Sequence, residues 1–229
     1  MSTAQSAADR LRVGVVVAGD VVPAWIAGLL DDLTASGTVK LTEVSLTPNE
    51  LPGPRAPAVP SRRQRILARG DERLLHGRAK LLAPVDLRSW AREREVRVAE
   101  VWGASPAESA LEGRDALKDT ADVVLDLSGE DGSSALCAHA RLAVWWLEGA
   151  PVRVGGVHAD LPEVVNCVLR GSPVIAFTLY ARLPGRSETA VLDRAICPTH
   201  PSSPLLTGVY LAASARQLIV EKLTNASSA

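Results

Sequence analysis

Apolar positions fall in two kinds of block along this chain. Residues 11–18 read LRVGVVVA, a continuous apolar run closed by Gly19-Asp20, which predicts a strand buried on both faces. Behind it Ile26, Leu29, Leu30 and Leu33 recur at helical spacing. Pro23 near the start costs little there, and Gly37 is expected to end the helix. Residues 39–46 form a second β-rich run, which completes a β-α-β unit and predicts a parallel pair with a right-handed crossover.

The pattern continues through two segments of other character. Residues 47–60 hold Pro48, Pro52, Pro54, Pro57 and Pro60 and predict a loop. Residues 61–80 are helical in spacing and basic, with six arginines and Lys80 against Asp71 and Glu72. A solvated helix face or an anionic docking surface both fit that charge. Residues 96–102 alternate as a strand, and Ser105, Pro106 and Glu108 have the spacing of a helix start. Strands are expected at 121–127 (ADVVLDL) and 142–147 (LAVWWL), and helices at 133–141 and 159–169. Residues 173–183 and 189–196 flank Pro184-Gly185 and predict an antiparallel pair. A helix over 204–223 closes the order.

These elements predict an α/β fold: a Rossmann-like open, mostly parallel twisted sheet with helices on both faces, and antiparallel strands near the C-terminus. The expected organisation is a polar tail over 1–10, one domain over 11–223 with its Pro-rich loop at 48–60, and a frayed tail over 224–229.

Composition narrows the picture. Aromatic residues make up 3% of the 229, so the core must be built from Val, Leu, Ile and Ala; five of the eight aromatics are Trp. The net charge of −1 argues against nucleic acid or a membrane surface as partner. Three cysteines without CxxC spacing point to buried thiols in a reducing compartment rather than disulfides or zinc. With neither a signal-peptide pattern nor a long apolar span in the sequence, the expected location is the cytoplasm.

Ligands of such sheets bind beyond the carboxyl ends of the strands. Three loops qualify. Gly19 and Asp20 follow the first strand without GxGxxG spacing, and are candidates for substrate contact. Leu127, Ser128 and Gly129 lead into Glu130-Asp131-Gly132-Ser133, where glycines admit a ligand close to the backbone and serines donate; a plain capped turn has the same composition. Glu148-Gly149 follows LAVWWL. Among the histidines His76, His139, His158 and His200, no two have metal-pair spacing. His158, preceded by Gly155-Gly156 and followed by Asp160 and Glu163, is the candidate for chemistry. No metal site, P-loop, GxSxG or HExxH is present in the sequence.

Taken in order, RVGVVVAGDVVPAWIAGLLDDL, RLLHGRAKLLAPVDL, ADVVLDLSG, GGVHADLPEVVNCVLRGSPVIAFTLYARL and TAVLDRAI resemble the formyltransferase-like family that includes methionyl-tRNA formyltransferase and phosphoribosylglycinamide formyltransferase. The resemblance spans nearly the whole chain and rests on order and pattern. It implies that 10-formyltetrahydrofolate is the cofactor and that an amine attacks its formyl carbon. It also implies an asparagine and an essential histidine after the strand at 142–147, and an essential aspartate after the strand at 174–183. Here the first position reads Val144-Trp145-Trp146-Leu147-Glu148-Gly149-Ala150, with neither Asn nor His. The second reads Leu183-Pro184-Gly185-Arg186-Ser187-Glu188, without Asp.

Glu148 can accept a proton but lacks the near-neutral pKa of an imidazole. Loss of an oxyanion donor costs about 2.7–4 kcal/mol of transition-state stabilisation. Three functions follow as expectations. The first is a degenerate formyltransferase-fold protein that binds a small metabolite or a protein partner without formyl transfer. The second is a formyl or acyl transferase with a rearranged site using Glu148 or His158. The third is an interaction module docking through residues 61–80.

Overall fold

The computed structural model describes residues 10–47, 71, 80–100, 121–128, 136–138, 140–150 and 162–228. In chain order the elements are β1 (Leu11–Ala18), β2 (Val21–Pro23), α1 (Ala24–Ala35), β3 (Val39–Thr47), β4 (Pro84–Asp86), α2 (Leu87–Arg94) and β5 (Val98–Glu100). Then come β6 (Val123–Leu127), β7 (Ala143–Glu148), α3 (Pro162–Leu169), β8 (Val174–Arg182), β9 (Thr189–Pro198) and α4 (Pro204–Ala226).

Seven strands form one sheet in the order β5-β3-β1-β6-β7-β8-β9. The pairs from β5 to β7 are parallel, and β7–β8 and β8–β9 are antiparallel. The mostly parallel sheet with antiparallel strands at its C-terminal side is the architecture the pattern predicted. From β1 the chain moves outward to β3 and β5, then returns to β6 on the other side of β1. That reversal opens a crevice between the carboxyl ends of β1 and β6.

The two faces of the sheet differ in chemistry. Val13, Val15, Val17, Leu125, Leu127, Trp145, Leu147, Phe177 and Leu179 are buried on one face. They share a core with Trp25, Ile26, Leu29, Leu30 and Leu33 of α1 and with Leu211, Ala215, Ile219 and Leu223 of α4. On the other face a smaller cluster gathers Val16, Val124, Val144, Cys137 and Ala140. Strand register places Ser45, Val16, Asp126, Trp146, Tyr180 and Val191 in one row across that face. One step toward the carboxyl ends lie Thr47 and Ala18, and then Glu148, Thr178 and Arg194. Period-two alternation thus gives one apolar face to α1 and α4, and on the other an apolar patch around Val16, Val124 and Val144 with polar residues toward the carboxyl ends.

Several boundaries differ from the expectations. Val21–Pro23 pairs antiparallel with Pro84–Asp86 as a separate two-stranded sheet, a non-local pairing that no periodicity in three residues could signal. Helix α2 was not predicted; the Asp86 carboxylate accepts from the Ser89 N–H at 2.9 Å and caps it. Gly37 does not end α1. Ser36, in extended geometry, closes the helix, and its hydroxyl accepts from the N–H groups of Thr38 and Val39. Residues 224–226 are helical rather than frayed, because buried Ile219 and Leu223 anchor the last turns and Ser227 donates to Leu223 O and Thr224 O. The predicted Pro-rich loop, the helix start at Ser105 and nearly all of the basic segment lie outside the described residues. Asp71 from that segment is buried, and its carboxylate accepts from Ser203 Oγ at 2.6 Å and Leu205 N at 2.8 Å at the start of α4.

Candidate functional site

The crevice at the topological reversal brings together two of the loops singled out from sequence. At the end of β1, Gly19 takes φ 71 and donates its N–H to Thr47 O at 2.8 Å. Gly suits that left-handed turn because it has no Cβ to strain. Asp20 follows. Its carbonyl accepts from Leu87 N, and its exposed carboxylate lies 3.6 Å from Arg88 Nε.

At the end of β6, Leu127 is fully buried on the dry face, so its main chain is the part that ends at the crevice. Ser128 is buried beside it and donates both N–H (3.0 Å) and Oγ–H (2.6 Å) to Asp126 Oδ1. Asp126 is itself 2% exposed. It is not among the candidates read from the sequence. Its signal was a carboxylate inside the apolar run ADVVLDL, at a position whose alternation points away from the main core.

The adjacent strand β7 delivers Glu148, exposed, at its last position. Gly149 then turns at φ 87. A Cβ there would sit 3.1 Å from Ala176 O, so the turn that holds Glu148 at the strand end excludes larger residues twice over. The tryptophans separate: Trp145 packs into the dry core, whereas Trp146 lies on the polar face. Strand alternation turns the two neighbouring rings to opposite faces of the sheet. Trp146 stacks on Tyr180 with ring centroids 5.5 Å apart, and the Arg182 guanidinium sits 5.4 Å from its ring centre.

Gly129 and His158 lie outside the described residues. His200 stands beyond β9, where its N–H donates to Thr207 Oγ1 at 2.9 Å, with β8 between it and β7. Burial pushes the Cys137 thiol above its ordinary range although Arg182 pulls it down, and the side chain packs with Val16, Val124 and Val144. Among the described residues no three His, Cys, Asp or Glu side chains gather to hold a metal. No described helix is long and apolar enough to cross a membrane. The described ends of β1, β6 and β7 therefore offer carboxylates and a hydroxyl, with no imidazole or side-chain amide.

Fold and sheet order define an open α/β protein, and the fold is the formyltransferase type. Glycinamide ribonucleotide transformylase 1 from Symbiobacterium toebii superposes with a TM-score of 0.60 at 12% identity, over 99% of this chain and 93% of that one. Phosphoribosylglycinamide formyltransferase from Coxiella burnetii gives 0.58 at 10% identity, over 94% and 86%. Formyltetrahydrofolate deformylase from Burkholderia mallei gives 0.55 at 13% identity, over 93% of this chain and 66% of that one. No family model matches the chain, and no curated protein matches it in sequence.

Proposed function

We propose that this chain uses the formyltransferase-type fold to bind a small metabolite at the ends of β1, β6 and β7, without transferring a formyl group. The observation that carries the reading is Glu148. An exposed carboxylate, held by the Gly149 turn, stands where the family resemblance implies an asparagine and a histidine. Acyl transfer to an amine needs a group that takes a proton and returns it near neutral pH, and donors for the developing oxyanion. Asp20, Asp126 and Glu148 are carboxylates, and Ser128 spends its donors on Asp126. These residues can orient and hydrogen-bond a ligand. They do not supply the proton transfer and oxyanion donation that formyl transfer from 10-formyltetrahydrofolate needs.

The competing reading is a rearranged transferase in which Glu148 accepts the amine proton; its support is the exposure of that carboxylate beside the crevice. One pair of measurements separates the two. Formyl transfer from 10-formyltetrahydrofolate to an amine acceptor is expected to stay at background for both the wild type and Glu148→Gln. A wild-type rate above background that collapses in Glu148→Gln overturns the binding-only reading. Titration with a folate analogue, followed by tryptophan fluorescence, reports separately whether a folate pocket persists.

A further inference from the structure

We infer that the first strand-to-helix turn of this sheet, residues 19–24, is closed to phosphate, so that a ligand at the strand ends meets this rim with an unphosphorylated end; the ligand half of the inference rests on the binding-site reading above. In an open parallel sheet, the turn after the first strand and the N-terminus of the helix behind it form a ready-made anion site, because free backbone N–H groups and the helix dipole converge there. Burial, backbone pairing and charge each remove that site here.

The chain does not pass from β1 straight into α1. It inserts β2, which pairs with β4 over its whole length, Val21 with Asp86, Val22 with Val85 and Pro23 with Pro84. Around the start of α1, Val22, Pro23, Trp25, Ile26 and Ala27 are all buried. The N-terminus of this helix is therefore shut off from any solute that enters the crevice.

The backbone donors are engaged as well. Gly19 donates its N–H to Thr47 O and Ala24 to Ala83 O, both at 2.8 Å. Pro23, at the N-cap, has no N–H to give. Helix α2 begins at the same rim, and its first donors are also taken. Leu87 N–H donates to Asp20 O at 2.8 Å, and Ser89 N–H to the Asp86 carboxylate at 2.9 Å. Asp20 holds its own carboxylate 3.6 Å from the Arg88 guanidinium, so a phosphate would have to displace an anion of the protein to reach that cation. Binding there would exchange existing hydrogen bonds for new ones of the same kind, with no net gain.

Amide exchange and a pyrophosphate titration of the full chain, both read residue by residue by NMR, test the closure. The N–H groups of Gly19, Ala24 and Leu87 are expected to exchange about a hundredfold more slowly than coil amides. At constant ionic strength, pyrophosphate is expected to give no saturable shift at residues 19–24 or 86–89. Coil-like exchange at Gly19 or Ala24, or saturable shifts there in the wild type, overturns the inference. So does a wild-type response that Arg88→Gln abolishes, which would make that guanidinium a phosphate contact. Asp20→Asn removes the charge, keeps the carbonyl and is expected to stay equally silent. A pyrophosphate response that appears only in this variant would show that charge alone keeps anions out, and it overturns the backbone closure. Any of these failures leaves the binding-site reading standing, because a phosphate at Gly19 is itself a ligand beyond the strand ends. Failure of that reading, a formyl transfer that collapses in Glu148→Gln, would leave these amides as protected as before.

Discussion

Arg216 of α4 lies across Gly28 of α1 and grips Asp32 one turn on, with Nε–Oδ2 2.6 Å and Nη2–Oδ1 2.7 Å. The Asp32 hydrogen bond raises the Arg216 pKa above its ordinary value. The contact depends on the missing side chain at Gly28: a Cβ there would come within 2.5 Å of Arg216 Nη1. Gly28→Ala should therefore gain about 0.8–1 kcal/mol of helix propensity and lose a comparable amount as the guanidinium is pushed from Asp32. The net change in unfolding free energy is expected near zero. In an Arg216→Ala background the same substitution should stabilise by about 0.8 kcal/mol. Denaturant unfolding of the four proteins in the cycle checks this; equal effects of Gly28→Ala in both backgrounds would show that the glycine does not serve the ion pair.

Acid stability should report the opposite end of the sheet. Buried Asp122 accepts from Arg12 N, Arg12 Nη2 and Arg141 Nε at 2.9, 3.1 and 2.7 Å. Burial by itself pushes this carboxyl up, but the Arg12 and Arg141 hydrogen bonds together outweigh it and hold the pKa below 3.8. A carboxyl depressed in the folded state stabilises fully above its unfolded pKa, and the contribution fades as pH falls through the lower folded value. Asp122→Asn should cost about 2 kcal/mol at pH 7, a figure discounted because both arginines are partly exposed. The difference between wild type and variant should shrink below pH 3.8, measured by urea unfolding against pH. A constant difference across that range would mean the carboxylate charge is not what stabilises the junction.

The separation of the two tryptophans gives an optical assignment. Trp146 shares its face with Asp126 and Glu148, whereas Trp145 is enclosed in the core with Leu147 and Leu179. Any fluorescence change on ligand binding at the strand ends should be carried mainly by Trp146. Trp146→Phe is expected to abolish most of the signal and Trp145→Phe to preserve it. The reverse result would place the ligand on the other face of the sheet.

The parallel strands and the antiparallel end were legible because β1, β6 and β7 are apolar, buried runs, and because Pro184-Gly185 marks a hairpin. What escaped was set by distant partners. Val21–Pro23 becomes a strand only because Pro84–Asp86 arrives beside it. Asp126 is a lone carboxylate within the apolar run of β6, and only register places it beside Trp146 with Ser128 donating to it. Glu148 was legible as a strand-end carboxylate, but nothing in the local sequence showed that the β8–β9 hairpin reaches past it. Face assignment in a two-residue period is simple once a strand is known; which strands are neighbours is not written in either of them.

Gly149 links fold stability to the site most directly. Its φ of 87 lies where an L side chain is strained, and Ala176 O stands 3.1 Å from the position a Cβ would take. Unlike the arginine over Gly28, that neighbour is backbone in the middle of a paired strand and cannot swing aside. Gly149→Ala should destabilise the protein by about 1–2 kcal/mol from conformation alone, and by more if β8 does not yield. Relief of the clash would have to move either the turn or β8, and either shift displaces Glu148, which precedes the glycine and pairs with Thr178 of β8. The variant should thus lose ligand affinity by a larger factor than Leu183→Ser, a substitution at an exposed residue beyond the far end of β8. Thermal unfolding of both variants, with ligand titration followed by tryptophan fluorescence, decides the point. A Gly149→Ala protein with wild-type melting and wild-type affinity would show that the turn can be rebuilt without its glycine.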